Sequence, residues 1–363
     1  MPLAPPPKRS RQLAATLYLL VITTLTACDH PAETTRRGLS LPEGSIIAVI
    51  GPPESCSHSK AVAGGARRYC DRYPNINCLV VTPKNQRPDS LRQAVTQALS
   101  AQPRGLCLHL EDANAVEAVA ELLDPRDFIL VTMNRPAPQL RPYGHVGVAR
   151  AEAAELLGRS LPNLLPQAVD TLGRERTERS YILVHERTRD QDAADCYVRF
   201  SAAAPGRPAF SLLREVDTAA EGLPPRDAIT TLLEQFRTAE LVITLNPEPW
   251  LSLQPRLRLP AHNKFATLSA APRLWPRLHA GEAAALVGPL DGELGYAAAE
   301  LVVQGLLAVP DATRQLAIRC ELVTRDSLAD FVERYAAAAV LDIADLMPLP
   351  PPAPTTPDQP SEP

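Results

Sequence analysis

Residues 274–308 read LWPRLHAGEAAALVGPLDGELGYAAAELVVQGLLA. A short helical phrase comes first, the apolar run Ala284 to Gly288 follows at strand length, and a long helical pattern begins after Leu290. Helix, strand and helix in so short a span form the repeating unit of a parallel sheet. The same alternation extends upstream. Ser45 to Ile50, Cys78 to Val81, Leu106 to Leu110 and Phe128 to Thr132 are apolar runs of strand length. Helical patterns lie between them, near Lys60 to Arg72, from Pro88 and Asp89 onward, and over Val116 to Leu123. In the second of these, Leu91, Val95, Ala98 and Leu99 share one face. Four strands with intervening helices predict one parallel sheet, with right-handed crossovers placing helices on both faces.

A second series starts after His145. Helical patterns at Ala151 to Leu161, Asp192 to Ala204 and Arg226 to Thr238 alternate with strand-length runs at Tyr181 to Val184, Phe210 to Val216, Leu241 to Leu245 and Lys264 to Leu268. The fold class expected is therefore α/β, with two doubly wound parallel-sheet lobes. In such sheets ligands sit beyond the carboxyl ends of the strands, so two facing edges would form a cleft.

The termini differ in kind. Lys8, Arg9 and Arg11 precede the apolar run Leu13 to Ala27, which is short for a membrane span and suits a signal-peptide core. The run closes in Leu25, Thr26, Ala27 and Cys28, which resembles a bacterial lipobox, so Cys28 is the expected acylated (palmitate-bearing) N-terminus of the mature chain. An ordinary cleaved secretory signal is the alternative, and either one exports the chain. Asp29 after the cysteine leans towards retention at an inner membrane, as in enteric lipoproteins. From Asp29 to Glu43 no apolar period occurs, and a flexible tether is expected. From Met347 the chain is proline-rich and is expected to be disordered. With 37 basic and 41 acidic residues and a net charge of -4, the chain has no electrostatic footprint for nucleic acid.

Three phrases carry a resemblance: residues 274–308 quoted above, FILVTMNR at 128–135, and LVTRDSLADFV at 322–332. Together they resemble the type I periplasmic sugar-binding family, the ribose and galactose receptors that share a fold with lactose-repressor cores, over roughly Ser45 to Tyr335. The resemblance implies three crossings between lobes acting as a hinge. It divides the chain into a signal peptide at 1–27, a tether at 28–43, a first lobe at 44–146 plus about 290–312, a second lobe at 147–289 plus about 313–346, and a tail at 347–363. It also implies an extracytoplasmic solute-binding protein on a membrane, facing the periplasm or exterior, for a sugar-like or other small polar ligand. Such a protein has no reaction of its own and serves an ABC permease or a membrane sensor kinase. The alternative is a degenerate binding fold that docks an envelope partner.

Family residues carry over only in part. Cys56, Ser57, His58 and Ser59 stand where the family has Asn-Pro-Phe-Phe, so both stacking rings are absent. The Asp-Arg pair that grips hydroxyls becomes Asn134 and Arg135. Asn246 and Pro247 replace Asn-Asp, while Thr267, Leu268 and Ser269 replace Gly-Phe-Asp. Pro289 takes the place of a glutamine, and the family's second-lobe arginine is lost around Ala194 to Cys196. The expected ligand site is thus Asn134, Arg135, Asn246 and Ser269 converging between the lobes, with His58 opposite.

Other chemistry is thin. His58, His109 and His185 fall at predicted carboxyl ends of strands, yet no pair has ligand spacing and no carboxylate is placed with them, so no metal is expected. His185-Glu186 begins a zinc-protease motif, but Arg189 fills the second histidine position. Nucleophile elbow, phosphate loop and dinucleotide fingerprint are all missing from the sequence, so neither enzyme chemistry nor a cofactor is expected. Trp250 either stacks on a ligand or packs in the lobe core, and Trp275 reads as packing. Beyond Cys28 the chain holds Cys56, Cys70, Cys78, Cys107, Cys196 and Cys320. Cys70 and Cys78, at a helix end and the next strand, are the expected disulfide, with a buried Cys78 thiol as the competing picture.

Overall fold

The structure is a computed structural model. It describes residues 41–346 except 57, 86, 112, 125–126, 166–178, 207–209, 223, 225–228, 230, 233, 237, 253–262 and 310–313. The expected signal peptide, Cys28, most of the tether and the proline-rich tail lie outside the described residues. Among the described residues, no helix is long and apolar enough to cross a membrane.

The elements run β1 (Ser45–Ile50), α1 (Ser59–Cys70), β2 (Ile76–Val81), α2 (Pro88–Ser100), β3 (Gly105–Leu110), α3 (Ala113–Ala120), β4 (Ile129–Asn134), β5 (Gly144–Val148), α4 (Arg150–Leu164), β6 (Arg179–His185), α5 (Gln191–Ala203), β7 (Phe210–Asp217) and α6 (Thr218–Glu221). They continue with β8 (Leu241–Thr244), α7 (Glu248–Ser252), β9 (Lys264–Thr267), α8 (Trp275–His279), β10 (Ala283–Pro289), α9 (Asp291–Leu306), β11 (Gln315–Ile318), β12 (Cys320–Val323), α10 (Leu328–Ala339) and α11 (Ile343–Leu346). The helix expected over Arg226 to Thr238 is described only in fragments.

Two six-stranded sheets result. The first has the order β11-β5-β4-β3-β1-β2 with every pair parallel. The second has the order β12-β10-β9-β8-β6-β7, parallel except for β12 on β10. Alternate side chains of a strand face opposite sides, and both sides here are covered. Ile47, Val49, Cys107, Val131 and Met133 pack under α1 and α9, whereas Ala48, Ile50, Leu106, Leu108 and Leu110 pack under α2 and α3. Burial on both faces is why these strands read as continuous apolar runs with no alternation. In the second sheet, Ile182, Val184 and Phe265 pack with α8 and α10, and Leu183, Ile243 and Ala266 pack with α4 and α5.

The helices of the first layer touch at glycine. A Cβ on Gly65 would overlap the carbonyl of Gly292 on α9, and one on Gly295 would overlap the carbonyl of Val62 on α1. On the far side, a Cβ on Gly64 would strike the carbonyl of Ala339 on α10. This seam joins the two layers behind the crossings.

The chain passes from one sheet to the other at Ala149, Leu290 and Arg319. Two of these links are tied, since the Ala149 N–H donates to the Ile318 carbonyl at 2.9 Å. The first and third crossings fall later than the boundaries near 146 and 312 read from the sequence, because β5 and β11 add two strands to the first sheet. Neither carries a strong strand signal: GHVGV has two glycines, and QLAI is only four residues. The tether is also shorter than expected at its domain end, because Leu41 is buried in the first core.

The expected Cys70–Cys78 bridge is not formed; both cysteines are free thiols. Their mutual interaction, joined by burial, raises Cys70 above the ordinary thiol range and, against burial, holds Cys78 below it. Trp250 takes the core alternative. It is 2% exposed, stacks on Phe265 at 4.1 Å and donates its indole N–H to Thr244 Oγ1 at 2.8 Å. Trp275 is fully buried and donates to the Ala270 carbonyl at 2.9 Å.

Candidate functional site

A cleft of about 300 Å³ opens where the carboxyl ends of both sheets face each other. All five sequence-selected ligand residues line it: His58, Asn134 and Arg135 from the first sheet's side, Asn246 and Ser269 from the second. His58 therefore shares a wall with Asn134 and Arg135 and stands opposite only Asn246 and Ser269. The reason is that it precedes α1, which packs on the first sheet.

The first wall is shaped by a strained turn. β4 ends at Asn134 with φ 67°, and the Arg135 N–H reaches back to the Met133 carbonyl at 2.9 Å. Asparagine tolerates this backbone better than most residues. Its side chain holds the turn in place: Nδ2 donates to the Leu110 carbonyl at 2.9 Å, and Oδ1 accepts from Arg150 at 2.8 Å. The turn puts Arg135 on the cleft wall, where its Nη1 lies 3.7 Å from Asp190 Oδ2 on the opposite side. Strain of this kind persists where the surroundings over-determine it, commonly at binding sites.

The second wall uses its polar side chains locally. Asn246 Oδ1 accepts the Glu248 N–H at 2.9 Å, and Ser269 Oγ accepts the Ala271 N–H at 3.2 Å. These small turns fix both residues at strand ends, and they leave the Asn246 amide hydrogens and the Ser269 hydroxyl hydrogen as donors. Asp190 caps α5 by accepting the Ala193 N–H at 2.9 Å. Burial works against its charge, but the Ala193 N–H, Arg189 and Arg135 outweigh it and hold the carboxyl below its usual range.

Charge in the cleft is mixed with an acidic excess. Glu111, Glu186, Asp190, Asp192 and Asp291 face Arg135, Arg150 and Arg189. Burial raises Asp291, only partly offset by His58 and by the Tyr335 hydroxyl, which donates to it at 2.7 Å. Burial also raises the cleft thiols, Cys196 to about 11 and Cys320 to about 12.

Of the three sequence-selected histidines, two reach the cleft and one does not. His185 turns into the second layer, with Nε2 3.1 Å from Glu215, Nδ1 accepting the Arg187 N–H at 3.3 Å, and its ring 4.5 Å from Tyr197. His109 and Cys107 have the same parity in β3, so both face the α1 side, and His58 at the head of α1 meets His109 with ring centroids 6.0 Å apart. Burial first, then the nearby His58 and Arg150, push His109 well below the ordinary histidine range. A carboxylate is placed with them after all: Glu111 follows β3 directly, and its Oε1 lies 3.6 Å from His109 Nδ1.

These features define a two-lobed protein with the type I periplasmic-binding-protein fold. Protein-family models and curated proteins give no match to the sequence, while solved structures match across nearly their whole length. A glucose-galactose binding protein of Geobacillus stearothermophilus is 17% identical with a TM-score of 0.58, over 79% of this chain and 99% of that one. A sugar-binding protein of a Bacillus halodurans sugar ABC transporter is 12% identical with a TM-score of 0.65, over 79% and 99%. A periplasmic ribose ABC transporter protein of Conexibacter woesei is 12% identical with a TM-score of 0.63, over 84% and 100%.

Proposed function

We propose that the chain is an extracytoplasmic solute-binding protein, held to a membrane by lipid on Cys28, that takes a small polar solute in the cleft and delivers or reports it without reacting with it. The observation that carries this reading is the convergence of Asn134, Arg135, Asn246 and Ser269 from strand ends of two sheets on one cleft. A volume of about 300 Å³ is at the small end of ligand pockets. The absent stacking rings and the acidic excess favour a neutral or cationic solute the size of a monosaccharide or smaller. The solved structures of like fold are described as binding glucose and galactose or as serving sugar transport, which supports a sugar-like solute.

A second reading, a sensor module that docks an envelope partner, draws on the way the cleft's polar groups bond to one another. A structure of like fold is described as a XylFII–LytSN complex (12% identity, TM-score 0.58, over 79% of this chain and 100% of that one).

The test is a thermal-shift screen of the purified chain against sugars, polyols, nucleosides and amino acids. A binder at 100 times its Kd stabilises by about 2.7 kcal/mol. Stabilisation by one chemical class supports solute binding; a folded chain that responds to none supports the docking module.

A further inference from the structure

We propose that His58, His109 and Glu111 form a binding site for a divalent transition metal of the zinc class on the first-sheet wall of the cleft. Each residue offers one ligand atom, and these atoms lie within 4.8 Å of one another. Donors bonded to one tetrahedral ion at about 2.0–2.2 Å lie about 3.5 Å apart, so small side-chain rotations would draw the three onto one ion.

The independent sign of a missing partner is His109. Its side chain is 2% exposed, and Nδ1 is buried with no hydrogen-bond partner. Buried polar atoms are nearly always paired, and an imidazole nitrogen aimed at a second histidine and a carboxylate is satisfied by a cation that accepts lone pairs from all three. Two imidazoles and one carboxylate select borderline metals such as zinc, cobalt or nickel over calcium or magnesium, which prefer all-oxygen shells.

The fold builds this arrangement from separate elements: the residue preceding α1, the penultimate residue of β3, and the residue just beyond that strand. Cys56 stands beside the carboxylate, its thiol donating to Glu111 Oε1 at 4.0 Å. The three ligands line the cleft, so the remaining coordination positions face whatever enters it. An oxygen or nitrogen donor on a solute would complete the shell, which extends the solute-binding reading but does not depend on it.

The experiment uses the full-length chain in mild detergent, purified without a polyhistidine tag and titrated with Co²⁺. The expected result is one Co²⁺ per chain, with visible absorption of a four- or five-coordinate ion that added Zn²⁺ abolishes. His58→Ala and Glu111→Gln change residues that are not fully buried. Each should weaken binding at least tenfold while leaving the far-ultraviolet circular dichroism unchanged. No bound Co²⁺ at micromolar concentrations, or equal binding by the folded double variant, overturns the site. Repeating the solute screen in chelator separates the two proposals, since solute binding that persists there leaves the cleft reading standing whatever the metal result.

Discussion

Arg135, at the end of a strand in the first sheet, and Asp190, the cap of a helix on the second, face each other across the cleft with Nη1 and Oδ2 3.7 Å apart. Both side chains are partly exposed, so the pair is worth at most about 1 kcal/mol, but it bridges the two lobes directly. Asp190→Asn keeps an oxygen for the Ala193 N–H and removes the charge. The solute-free variant should sample more open forms, read as a larger radius of gyration in small-angle scattering with little change in melting temperature. An unchanged scattering profile contradicts the latch.

The glycine seam sets a packing limit. Because a Cβ on Gly65 would overlap the Gly292 carbonyl, a backbone atom that cannot swing aside, Gly65→Ala must push α1 and α9 apart. Overpacking of this kind costs about 1–3 kcal/mol, with urea denaturation as the measurement. A variant as stable as wild type means the helices are less tightly apposed than described.

Val340 ends α10 at φ 53° and ψ 48°, a left-handed conformation that a β-branched residue adopts only at a cost. It is 64% exposed and so gives up little packing. Val340→Gly should stabilise the chain by about 1 kcal/mol. A loss of melting temperature in that variant contradicts the cap geometry.

His145 supplies a pH dependence. Burial lowers its pKa, only partly countered by the Thr132 backbone and by Asp192. The folded chain therefore binds fewer protons there than the unfolded chain. The contribution is intact above the unfolded value of about 6.5 and is lost as pH falls through the folded value. The stability gap between wild type and His145→Gln should shift in favour of the variant between pH 7.5 and 5.5. A gap independent of pH contradicts the assignment.

Much of the architecture was legible because parallel strands buried on both faces announce themselves as apolar runs, as β1 and β3 do. The short edge elements β11 and β12 were not, since four residues carry too little pattern. Asn134, Arg135, Asn246 and Ser269 could be selected because the family resemblance supplied the register, and each lies at or just beyond a strand end. Glu111 could not be joined to His58 and His109, because the link depends on which face of β3 α1 covers, and nothing local in HLED records that. Asp190 was missed for a similar reason: a helix cap in the sequence becomes a cleft residue only when the second lobe is set opposite Arg135.

The central claim is that the chain binds a small solute between its lobes through Arg135, and calorimetric titration with the solute found by the screen tests it most directly. Wild type should bind one solute per chain. Arg135→Ala should bind at least tenfold more weakly, the loss of one charge-assisted hydrogen bond of about 1.5–3 kcal/mol. Equal affinity in the two proteins would contradict the account.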